Sequence, residues 1–123
     1  MSDFGLSYIG QIAITVTDLA RATAFYRDSL GLKFLFEAPN LAFFDCGGIR
    51  LMLTPPEPDG ATHSSVVYYK VPDIRQAHQV LSGRGVAFVG QPHLIAKMPD
   101  HDLWMAFFKD PDGNVLALMS EVR

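Results

Sequence analysis

Ile12-Ala13-Ile14-Thr15-Val16-Thr17-Asp18 is answered 55 residues later by Val67-Tyr68-Tyr69-Lys70-Val71-Pro72-Asp73. Val16 returns as Val71, Asp18 as Asp73, Leu19 as Ile74 and Ala22 as Ala77. After a slip of one residue, Gly31-Leu32-Lys33-Phe34 returns as Gly85-Val86-Ala87-Phe88. Further on, Ala42-Phe43-Phe44 returns as Ala106-Phe107-Phe108, and the run Gly48 to Leu53 as Gly113 to Leu118. A repeat of this length is one supersecondary unit built twice, and each copy must bury its apolar face against a neighbour.

The local signals give the unit its shape. Ile9 to Val16 is rich in β-formers and reads as a strand. Asp18 is placed to cap a helix in which Leu19, Ala22, Phe25, Tyr26 and Leu30 recur at helical spacing. Gly31 supplies the left-handed residue that stops it. Lys33 to Glu37, Leu41 to Asp45 and Arg50 to Thr54 follow as strands, split by turns at Pro39-Asn40 and Gly47-Gly48. In the second copy Val66 to Val71 is the strand and Asp73 to Ser82 the capped helix. Strands then fall near Val86 to Val89, Asp102 to Lys109 and Asn114 to Met119. Gln91 to Asp100 reads as irregular, and Asp110-Pro111-Asp112-Gly113-Asn114 as a tight turn. The expected class is α+β: two βαβββ modules, 8–55 and 64–121, with curled mixed sheets. The proline-rich linker 55–63 joins them within a single domain spanning 1–123.

Composition narrows the function classes. The chain has 123 residues, 49% of them apolar and 19% charged, which suits a globular domain with a real core. A formal charge of −3 gives no footprint for nucleic acid or for an anionic membrane. No apolar run reaches the roughly 20 residues of a spanning helix. The opening Met-Ser-Asp-Phe-Gly lacks the basic and apolar regions of a secretion signal. Cys46 stands alone and fits a reducing compartment, so the expected location is the cytoplasm.

Two βαβββ units with Asp-Pro-Asp-Gly-Asn before the last strand resemble the vicinal oxygen chelate superfamily. That group contains glyoxalase I, fosfomycin resistance proteins, extradiol dioxygenases and the bleomycin resistance protein. The stretch Phe25-Tyr26-Arg27-Asp28-Ser29-Leu30-Gly31-Leu32 also looks like the family's first helix and its exit. The resemblance runs from about residue 8 to residue 121. It implies that each unit's strands curl into half a cup and that two halves enclose a small-molecule pocket. It also implies a homodimer, which would cover the exposed sheet edges. Fold alone does not fix the reaction.

Enzymes of the family hold a divalent metal through the first and last strand of each unit. Carried over by motif, those four places fall on Gln11, Met52, Val66 and Ala117. Such metals take carboxylate oxygens and imidazole nitrogens. An amide, a thioether and two alkyl groups do not replace them, so neither metal nor other cofactor is expected. A register slip of one residue offers Gly10, Ile12, Leu51, Leu53, Ser65, Val67, Leu116 or Leu118, none a strong ligand.

Side chains two apart on a strand share a face. The cup lining expected from this rule and from the resemblance is Gln11, Phe43, Arg50, Met52, Val66, Tyr68, Met105, Phe107 and Ala117, with His101 at the mouth. An apolar concavity with a few polar groups is the usual form of a small-molecule site. The alternative is that these side chains fill the cup themselves. Arg50 either meets an acidic ligand or reaches water at the rim. His63, His78 and His93 read as solvated surface histidines, and Trp104 as core. Cys46 has no neighbouring base, and no acid–base pair is legible. The preferred function is therefore a metal-independent small-molecule-binding protein for an apolar or aromatic ligand. The rival is a glyoxalase- or dioxygenase-like lyase or oxidoreductase with a metal on non-standard ligands, and a third reading is an accessory module with a vestigial pocket.

Overall fold

The computed structural model describes residues 4–58 and 65–123. The 59–63 part of the linker, with His63, lies outside the described residues. The first unit is β1 (Gln11–Thr15), α1 (Leu19–Ala24), β2 (Lys33–Ala38), β3 (Leu41–Cys46) and β4 (Ile49–Thr54). Its sheet runs β1-β4-β3-β2, with β1 parallel to β4 and the other pairs antiparallel. The second unit is β5 (Val67–Lys70), α2 (Ile74–Gly83), β6 (Ala87–Phe88), β7 (His93–Lys97), β8 (Asp102–Lys109) and β9 (Val115–Val122). Its order is β5-β9-β8-β6, with β5 parallel to β9 and β7 added against β8. Two mixed sheets of repeated topology are what the doubled sequence requires.

Both helices start as expected. Asp18 accepts from the Arg21 amide and Asp73 from the Gln76 amide, each satisfying a donor that the first turn leaves open. They end differently. Residues Phe25–Ser29 form one π turn, in which the Leu30 amide donates to the Phe25 carbonyl at 3.0 Å. A π turn holds one residue more than an α turn. That extra residue is the physical origin of the slip in the repeat. Gly31 then takes a φ of 77°, as its place after the helix demands.

One expectation is overturned. Gln91 to Asp100 is not irregular throughout, because His93–Lys97 pairs antiparallel with β8. The strand gave no period-two signal, since His93, Leu94 and Ile95 are all exposed and the register shifts between Leu94 and Ala96. Pro92 and Pro99 lie outside the strand, where their missing amides cost no ladder hydrogen bond.

The core lies between the helices and the inner faces of the sheets. It joins Ile14, Val16, Tyr26, Phe44, Leu51 and Leu53 of the first unit to Ile74, Leu81, Phe108, Leu116 and Leu118 of the second. Trp104 packs against it, with the Arg75 guanidinium 5.2 Å from its ring centroid.

The turn Asp110–Asn114 ties the units together. Asp110 is buried and accepts from the amides of Asp112 and Asn114 at 2.9 Å each. Its other oxygen accepts from Tyr26 Oη at 2.9 Å and from Asn114 Nδ2 at 2.8 Å. Asn114 Nδ2 also donates to the Thr15 carbonyl at 2.9 Å, and the Thr17 amide donates to Asp112 at 2.8 Å. Burial first, then the Asp110 charge, pushes the Tyr26 hydroxyl far above its ordinary range, so it stays a donor. Tyr26→Phe is expected to cost about 1.5–3 kcal/mol, because it leaves a buried carboxylate short of a partner. Urea unfolding should show a lower midpoint with an unchanged slope.

Candidate functional site

Alternation along the strands sends one set of side chains into the core and the other to the opposite faces of the sheets. On β4, Leu51 and Leu53 are buried inward while Arg50, Met52 and Thr54 point the other way. On the first sheet this outer face gathers Gln11, Phe43, Arg50 and Met52. Gln11 stands beside Arg50 in the β1–β4 register, and Phe43 opposite Met52 in the β3–β4 register. Arg50 Nε donates to Gln11 Oε1 at 3.0 Å, and Gln11 Nε2 meets Met52 Sδ at 3.6 Å. The Arg50 guanidinium lies 5.3 Å from the Phe43 ring centroid. Phe36 stacks on Phe43 at 4.6 Å and extends the face. The bulge between Phe34 and Phe36 turned Phe36 to this side, and simple alternation does not anticipate it.

The second sheet repeats the arrangement with Tyr68, Met105, Phe107 and Ala117, and Val66 stands just before β5, outside its paired residues. Tyr68 and Phe107 flank Ala117 in register, and their rings meet edge-on at 6.2 Å. Ala117 is fully buried, whereas Val66 and Tyr68 remain 42% and 46% exposed, so the face is an open surface. His93, expected to be solvated, has its ring 6.3 Å from Phe107, while His78 packs 4.2 Å from Phe88. Among the described residues, hydrogen bonds and ring contacts run within each face and none joins the two.

His101 sits at the end of the second face, in a clip that the sequence reading missed. Its Nδ1 is 2.7 Å from Asp100 Oδ1, and its Nε2 is 4.0 Å from Glu121 Oε2. Glu121 also pairs with Lys70 at 3.2 Å and with Arg123 at 3.5 Å. The signal was present: Ala117, Met119 and Glu121 share one side of a strand that runs on to Val122. Cys46 is half-buried, and burial, aided by Asp45, pushes its thiol up, so it is no ready nucleophile.

The match to known proteins is decisive at the level of family. Residues 8–118 fit the model of the glyoxalase/bleomycin resistance protein/dioxygenase superfamily. The chain belongs to that superfamily. It is 29% identical to the uncharacterized protein YraH of Bacillus subtilis (strain 168) over 126 aligned positions, covering 88% of this chain and 94% of that one. Among solved structures it is similar to TnmS3, an antibiotic binding protein from Streptomyces sp. CB03234. There the identity is 25% and the TM-score 0.76, over 96% of this chain and 98% of that one. It is similar, too, to lactoylglutathione lyase from Agrobacterium tumefaciens. The identity is again 25%, with a TM-score of 0.75, over 94% of this chain and 95% of that one.

Enzymes of this superfamily carry a metal, and the four matching places here can be tested against it. Gln11 offers an amide oxygen that already accepts from Arg50, and Met52 offers a thioether. Val66 and Ala117 offer no donor atom. Among the described residues no group of three His, Cys, Asp or Glu side chains is placed to hold an ion. The donor set does not fit a hard or borderline divalent cation.

The clip gives a testable electrostatic signature. Its hydrogen bond to His101 holds the Asp100 carboxyl below the ordinary range, and Lys70 does the same for Glu121. Groups depressed in the folded state add stability at neutral pH that is lost as acid protonates them. In His101→Gln the Asp100 titration should move back up, while Glu121 shifts less. Carbon-13 titration of the two carboxyls checks this.

Proposed function

We propose that this chain is a metal-independent small-molecule-binding protein, acting as a cytoplasmic homodimer built on one domain of modules 8–55 and 64–121. Its ligand is apolar or aromatic and lies against the outer sheet faces. One observation carries this reading: the four places that would grip a metal hold Gln11, Met52, Val66 and Ala117, and Gln11 is engaged by Arg50 and Met52. What surrounds them is apolar surface from Phe43, Phe36, Met105, Phe107 and Tyr68. Such a surface with few polar groups suits recognition better than proton transfer. The similarity to an antibiotic binding protein supports the same reading.

Arg50 sets the polar end of the ligand. Its Nε is held by Gln11, which aims the terminal nitrogens of a planar fork that matches a carboxylate. Half-exposed Val66 and Tyr68 leave the faces open in a single chain, and a second copy that brings two faces together would complete a cup.

A thermal-shift screen of apolar and aromatic compounds should give hits that Val66→Trp abolishes, while Arg50→Met weakens acidic hits alone. Elemental analysis of protein purified without chelator should find no stoichiometric metal, and sedimentation should find a dimer. Near-stoichiometric zinc, nickel, iron or manganese, with an activity lost on chelation, would establish the lyase or oxidoreductase reading instead.

A further inference from the structure

The two units differ where their helices meet their sheets. In the first, Ala22 and Tyr26 are fully buried, Phe25 packs against the core, and the inner face of the sheet is sealed. The second unit keeps the alanine as Ala77 but has no aromatic residue in the next turn. On either side of the extra residue in the π turn, Tyr26 aligns with Val80 or Leu81. The helix loses its aromatic ring at that place, and the ring that borders the space, Tyr69 at the repeat position of Ile14, comes from β5 instead. A cavity of about 410 Å³ lies at that place. Ala77, Val80 and Leu81 of α2 form one wall, Tyr69 of the edge strand β5 another, and Leu32 of the first unit faces them.

This cleft is separate from the outer faces, because its sheet residues Tyr69, Phe108 and Leu118 point to the opposite side from Tyr68, Phe107 and Ala117. Its size falls in the range of small-molecule sites, roughly 300–1,000 Å³. Three polar side chains stand at its rim. Asp73 is engaged in capping α2 through the Gln76 amide at 3.1 Å, and Lys70 is paired with Glu121 at 3.2 Å. Two uncommitted polar groups line it and both are neutral: the Gln76 side chain, and the Tyr69 hydroxyl, which is buried without a hydrogen-bond partner among the described residues and which burial keeps protonated. An ionised ligand would give up its hydration here without gaining an unpaired countercharge.

We infer that the cleft between α2 and β5 is a second binding site, for an uncharged and largely apolar small molecule with at most one group that hydrogen-bonds to Gln76 or to the Tyr69 hydroxyl. It is independent of the outer-face site and stands if that one fails.

The neutral aromatic fluorophore N-phenyl-1-naphthylamine is a suitable probe on the full chain. Its binding to the cleft should saturate at one molecule per chain. Amide shifts in nitrogen-15 spectra of the wild-type protein should concentrate on 69–81 and on Leu32, not on Gln11, Phe43 or Met52. Ala77→Phe, inside the cleft, and Val80→Trp, at its exposed mouth, should each weaken binding by about tenfold or more, close to 1.4 kcal/mol. Neither should lower the melting temperature, since both fill empty space. Val66→Trp should leave the probe-induced shifts at 69–81 unchanged. Absence of saturable binding, shifts confined to the outer faces, or loss of binding only in Val66→Trp would overturn the assignment. The wild-type spectra decide even if a cleft variant fails to fold.

Discussion

The carboxylate of Asp110 is the constraint on which the assembly of the two halves depends. A charge removed from water is costly unless its lone pairs are met, and here two backbone amides, an asparagine side chain and a tyrosine hydroxyl meet them. Two of those donors shape the turn before β9, and the tyrosine belongs to the other unit. Satisfying one buried ion therefore fixes the turn and docks the first helix in the same act. The apolar core adds area to this junction, but area has no direction. The hydrogen bonds supply the orientation.

The sequence was legible wherever a residue's role is local. The helix caps at Asp18 and Asp73, the stop at Gly31 and the turn at Asp110–Asn114 each follow from side-chain chemistry within a few residues. The sides of β3, β4, β8 and β9 followed from alternation, so the outward direction of Met52, Phe43 and Phe107 was readable. What escaped was non-local or irregular. The slip at Phe25–Ser29 was visible as a count but not as a π turn. β7 lacked a periodic signal because both of its sides are largely exposed. The partners of His101 come from Asp100 and from Glu121, 20 residues on, and no short-range rule joins them.

Charges on the outer faces are already engaged. Arg50 is braced by Gln11 and Phe43, and Lys70, Arg123 and His101 surround Glu121. Committed groups of this kind hold fixed geometry without needing to be rebuilt when a ligand arrives, which reduces the entropy lost on binding. The apolar residues between them provide contact area.

A chain made of two near copies faces a pairing problem of its own, since either helix could in principle lie across either sheet. The turn before β4 carries Asp45, the repeat counterpart of Asp110, and its carboxylate also accepts from a backbone amide of its turn, that of Gly48 at 3.2 Å. The residue that would answer it from the second helix is Leu81, the counterpart of Tyr26, and leucine has no proton to donate. The hydroxyl–carboxylate bond thus exists in one direction only, and exchanging the helices would leave the buried Asp110 carboxylate facing Leu81, short of a donor. One tyrosine works as a handedness mark, by which a duplicated chain tells its first half from its second.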